Sequence, residues 1–100
     1  MTHVCVEELD ISEVYQERRN EKRINIYFKA NGQKYMLEMW KYDGRPFIPS
    51  TIEHDSNQTC LICRKKQILC DPLKKHVKTL FHRLIEFPSI RLEWLYIEHM

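Results

Sequence analysis

INIYFKANGQKYMLEMW, residues 24–40, is two alternating apolar runs set around Asn31-Gly32. Asn-Gly is the strongest short-range signal for a two-residue hairpin turn, because both of its positions need positive φ and these two residues tolerate it. A two-residue turn fixes the register. It pairs Ala30 with Gln33, Phe28 with Tyr35, Ile26 with Leu37 and Ile24 with Met39. Every large residue at those positions then lands on one face, and a slip of one residue would turn them all to the other. The opposite face carries Asn25, Tyr27, Lys29, Lys34, Met36, Glu38 and Trp40. That mixture suits an antiparallel sheet with one half-wet side.

A sheet with one apolar face needs a cover, and the second half of the chain provides it. Asp71 suits an N-cap, and Pro72 follows at a first-turn position where its missing N–H costs nothing. Leu73, Val77, Leu80, Phe81, Leu84 and Ile85 recur at helical spacing, while Lys74, Lys75, Lys78, His82 and Glu86 fall on the other side. Phe87-Pro88 stops the pattern, since a residue before proline is pushed out of the α region. Ile90, Leu92, Trp94 and Tyr96 then alternate as one face of a strand. The fold class expected is α+β: an antiparallel sheet of about four to six strands with one main amphipathic helix, residues 71–87, packed on it, in a single domain over residues 1–100.

The remaining segments read less sharply. Residues 3–9 alternate as a short strand, and residues 13–19 fit either a strand or one helical turn. Asp43-Gly44 marks a second turn, and residues 45–53 return as a strand that Pro46 and Pro49 confine to an edge. Residues 54–58 read as polar loop, 59–63 as a short apolar strand, and 67–70 as a brief return before the helix.

Composition excludes several classes of function. Sixteen Lys and Arg against 14 Asp and Glu leave a formal charge of +2, too balanced to imply nucleic acid or an anionic membrane. Residues 1–5 show no secretory pattern, and no apolar run reaches the ~20 residues of a membrane span. Four cysteines in lysine-rich surroundings point to reduced thiols and an intracellular site, cytoplasm or nucleus. No serine-hydrolase elbow, phosphate loop or His-Glu-x-x-His motif is present, so no enzyme and no catalytic residue is expected.

Two groups of residues remain as candidates for chemistry. Cys60-x2-Cys63, Cys70 and His76 are the ligand set of a structural zinc site. Against this, Leu61, Ile62, Ile68 and Leu69 surround the thiols, as they would surround cysteines packed as small hydrophobes. The expectation is therefore no metal and no cofactor, with zinc on Cys60, Cys63, Cys70 and His76 as the alternative. Arg64, Lys65, Lys66, Lys74, Lys75 and Lys78 could form a basic patch near Trp40 and Tyr42. A solvated helix face accounts for the same lysines, so nucleic acid enters only as part of the zinc alternative.

The order of patterns resembles the type 2 F-box-associated domain of the large nematode F-box families. The residues that carry the likeness are Tyr35, Leu37, Trp40, Leu73, Val77, Leu80, Phe81, Ile90, Leu92 and Leu95, over residues 24–97. The first twenty residues lack the Leu-Pro and leucine-rich pattern of an F-box, and Phe87-Pro88 lacks the cysteine usual at that corner. The chain thus reads as a stand-alone or truncated member. The resemblance implies a non-catalytic substrate-recognition module with a protein partner, without adaptor binding. Trp40, Tyr27 and Met36, on the wetter face of the hairpin, are the expected contact residues, because Trp and Tyr are typical interface anchors. An inactive truncated fragment is the other alternative.

Overall fold

Asn31 and Gly32 take φ of 52° and 84°, the left-handed pair that a two-residue hairpin turn demands. The strands they join, β2 (Arg23–Ala30) and β3 (Gln33–Lys41), pair with Ala30 opposite Gln33 and Ile24 opposite Met39, the register dictated by the turn. In the structure, a computed structural model that describes residues 6–42, 44–55, 59–60, 62–64 and 68–91, this hairpin is the centre of the sheet. β1 (Ile11–Asn20) flanks it on one side and β4 (Phe47–His54) on the other. The order β1-β2-β3-β4 is antiparallel throughout, a meander in which every strand lies beside its neighbour in sequence.

Irregular residues sit on the outer strands. In β1, Glu13 and Val14 together oppose a single residue of β2, and Glu13 takes φ of 51°. This bulge lets Val14 turn into the core while Tyr15, next along, faces out. In β4 the pairing jumps from Glu38↔Thr51 to Met39↔Pro49, leaving Ser50 as the extra residue. Pro49 is tolerated because β4 is an edge. Residues 13–19 are thus strand rather than helical turn.

Ile24, Ile26, Leu37, Met39 and Ile52 are fully buried on one face of the sheet, beneath the helical layer. That layer departs from one helix over 71–87. It is two short helices, α1 (Asp71–Lys74) and α2 (Val77–Leu84), separated at His76, whose φ of −115° and ψ of 28° leave the α region. Asp71 is the first helical residue and Cys70 occupies the N-cap, so the carboxylate caps nothing. The apolar stripe survives the break. Leu73, Leu80, Phe81 and Leu84 are buried, and Val77 and Ile85 pack half-buried against the same core. The two pieces have different anchors. α1 starts at Cys70, which bonds back to β4 through its N–H to Ile52 O at 3.0 Å. From α2, Arg83 donates to the carbonyls of Val6 and Leu9 at 2.7 and 2.9 Å.

Val6 and Leu9 belong to no strand. Val6–Glu8 is a 3-10 turn, and spacing of three puts both apolar residues on the side facing α2. After α2 the chain unwinds through i→i−3 bonds, Phe87 N–H to Leu84 O and Ile90 N–H to Phe87 O, both 3.1 Å. Ile90 is buried, and the rest of the expected strand, from Leu92 on, lies outside the described residues, as does Cys5. No helix among the described residues is long and apolar enough to cross a membrane.

Candidate metal centre

Where β4 runs out, its side chains still alternate. Ile52 points into the core, and His54, two residues on, points to the same side. His54 stands opposite the buried Tyr35 across the β3–β4 pair, with ring centroids 5.7 Å apart. Beyond the loop the chain returns along β4. Leu69 bridges Glu53, and His54 N–H reaches Ile68 O at 2.8 Å. The brief return over 67–70 is therefore present in its described part, and it delivers Cys70 to the end of the sheet near His54.

Cys60 and Cys63 enter from the intervening turn. The segment 59–63 is not a strand in its described residues. Arg64 N–H closes on Cys60 O at 2.8 Å, and Arg64 itself takes φ of 61°. The backbone N–H groups of Ile62 and Cys63 both point at Cys60 Sγ, at 3.3 and 3.4 Å. The hydroxyl of Tyr35 lies 3.0 Å from the same sulfur. A neutral thiol has little use for three donors, whereas a thiolate accepts them readily.

The result is a cluster of His54, Cys60, Cys63 and Cys70, whose four potential ligand atoms lie within 4.8 Å of one another. Cys60 Sγ is 3.9 Å from Cys70 Sγ, and Cys63 Sγ is 3.4 Å from His54 Nε2. A tetrahedral zinc ion with ordinary bond lengths would have edges of about 3.8 Å between sulfurs and about 3.6 Å between sulfur and nitrogen. These two separations fit a zinc ion, and three thiols with one imidazole are among its preferred donors.

Electrostatics separate the thiols. Burial pushes Cys60 up, but the Tyr35 hydroxyl and the amides of Cys63 and Ile62 outweigh it and bring the thiol down to about 6. Cys70 is pushed far up, first by burial and then by negative charge on Cys60 and Cys63, with the Leu73 amide opposing. Burial, and then the bond to the Cys60 sulfur, also raise Tyr35, which stays a neutral donor. Without a cation the cluster carries one thiolate easily and resists a second.

The expectation of no cofactor is thereby replaced by a site able to hold a metal. The ligand set also differs in one member from the sequence reading. His76 is exposed at the break between the helices and is not in the cluster; His54 takes that place. A reading of 54–58 as polar loop hid it, although its spacing from Ile52 was the available signal.

No family model, no curated protein and no solved structure matches the chain. The likeness to the F-box-associated domain rests on hydrophobic spacing alone.

The other face of the sheet holds the expected contact residues. Trp40 is 36 % exposed, its Nε1 donating to Glu38 at 2.6 Å and its ring lying 4.9 Å below the Arg23 guanidinium. Arg23 also pairs with the buried Glu38. Tyr27 is half-buried and stacks on Tyr15 at 4.9 Å. Met36 is buried rather than exposed, because it sits mid-sheet between longer neighbours. Tyr15 and Ile48 are exposed on this face and went unforeseen. Of the basic residues, Arg64, Lys74, Lys75 and Lys78 are exposed, and Lys65 and Lys66 lie outside the described residues.

Proposed function

We propose that the chain is a zinc-stabilised recognition domain, in which His54, Cys60, Cys63 and Cys70 hold one structural zinc ion and the far face of the sheet meets a protein partner. The observation that carries this reading is the gathering, within 4.8 Å, of four soft or borderline donors drawn from three places: the end of β4, the turn after it, and the N-cap of α1. Four protein ligands make a closed set, the mark of a structural rather than a catalytic zinc. The donors include no carboxylate or carbonyl, so magnesium and calcium are poor candidates. In a chain of 100 residues the core is modest, and a metal that binds only the folded state adds directly to its stability.

Recognition is supported by the outer face, where partly exposed apolar side chains form two cross-strand pairs, Tyr15 with Tyr27 and Trp40 with Ile48. Large aromatics held in place by neighbours are good anchors because little rotamer entropy is left to lose. The family likeness points the same way.

Elemental analysis of the full chain, purified without a metal-binding tag, is expected to give about one zinc per chain, replaceable by cobalt(II) with the visible spectrum of a tetrahedral thiolate site. Absence of stoichiometric metal together with failure to take up cobalt overturns the reading. For the recognition half, affinity capture with the unaltered chain and with Trp40→Ala is expected to return a partner that the variant loses. Equal capture by both removes Trp40 from the contact surface.

A further inference from the structure

Beside the cluster is a buried hydroxyl with two possible acceptors and one hydrogen. Tyr35 is 1 % exposed, its ring set between those of Phe28 and His54. Its Oη lies 3.0 Å from Cys60 Sγ and 3.3 Å from Gln33 Oε1. Gln33 is itself oriented, since its Nε2 donates to Thr59 O at 3.0 Å. A Cys60 thiolate has no hydrogen to give, so the phenol is the donor of that pair.

We propose that Tyr35 is a positioning residue of the metal centre, its hydroxyl donating to Cys60 Sγ and so orienting the thiolate that a thiophilic divalent cation such as zinc would bind. This inference rests on the metal reading above. The Ile62 and Cys63 amides reach the sulfur because the turn is tight, and any side chains at those positions would supply them. Tyr35 is different, because it comes from β3, 25 residues away in the sequence. Donors of this kind orient a ligand and adjust its electron donation, and their loss commonly weakens metal binding by ~10–100-fold.

The test uses the full chain and Tyr35→Phe, which keeps the ring and removes only the hydroxyl. In competition with a chromophoric chelator, the variant is expected to bind zinc ~10–100-fold more weakly. In the cobalt(II) form its sulfur-to-metal charge-transfer band is expected at longer wavelength, because a sulfur without its hydrogen-bond donor gives up electrons more easily. A merely structural role would not move that band in this direction. Zinc affinity within about twofold of the unaltered chain, with the band unmoved, overturns the assignment. If the unaltered chain takes up neither zinc nor cobalt, the metal reading itself has failed and this one falls with it; binding by the unaltered chain and the variant alike defeats this one alone.

Discussion

A histidine two residues past a buried isoleucine decides which four residues form the centre. His54→Ala removes one of four donors and is expected to weaken zinc binding by at least ~100-fold, while His76→Ala, at an exposed site, leaves it unchanged. Chelator competition on both variants checks this, and the reverse pattern would return the site to the ligand set suggested by spacing alone. The thiols were legible in the sequence because zinc chemistry recognises residue types. The imidazole was not, since its membership depends on a strand running one residue further, to His54, than the sequence reading of 45–53. Acid should also discriminate. Cys60 has a folded-state pKa depressed to about 6, so its ionisation stabilises the fold fully above the ordinary thiol range, and that contribution is lost as pH falls towards 6. Cys70, raised by burial, behaves oppositely and must release a proton to bind metal. Zinc affinity is therefore expected to rise with pH, with an extra proton per zinc entering the slope below about pH 6 as Cys60 too becomes protonated. Titrations at several pH values measure that slope, and a flat profile contradicts thiolate ligation.

At the scale of elements, the hairpin was readable in full and the helical layer only in part. Asn31-Gly32 fixes a register by local geometry, so nothing distant can shift it without turning Phe28 and Tyr35 away from the core. The stripe from Leu73 to Ile85 has helical period too, but period says which side is buried, not whether the axis is continuous. The break at His76 comes from tertiary anchors: Cys70 ties α1 to the metal-site end of β4, and Arg83 ties α2 to the turn over Val6–Glu8. The same anchor explains why Val6 and Leu9 leave the alternation of a strand. Arg83 makes two hydrogen bonds from a charged group to carbonyls at a half-buried site. Arg83→Ala is expected to cost about 1.5–3 kcal/mol of stability and to free the N-terminal turn while zinc binding persists. Denaturant melts with and without a chelator separate the two effects, and unchanged stability would mean that solvent satisfies those carbonyls as well.

Considered whole, the molecule divides into a sheet held by its own ladders and a connection that carries three of the four cluster residues. β2 and β3 are joined by an unbroken ladder and β1 by a bulged one, and β2 and β3 carry Ile24, Ile26, Phe28, Leu37 and Met39 at the centre of the core. Between His54 and Cys70 the described residues hold one isolated bridge and a few turn bonds. Yet that connection sets where α1 begins, and through α1 where Leu73 and then Leu80 meet the sheet. A zinc ion there would act at a distance, closing the helical layer onto the core by fixing the chain that leads into it. Chelation should therefore act in a spatial order. Amide exchange is expected to accelerate first in residues 59–74, then across α2, with the β2–β3 amides the last to lose protection. The overall melting temperature should fall by several degrees, since loss of a ligand that binds only the folded state lowers stability in proportion to its binding free energy. Exchange that speeds up equally in all four strands would make the metal part of the core's own cooperative unit. Exchange unaltered at Cys60, Cys63 and Cys70 would show that packing alone holds the thiols where they are.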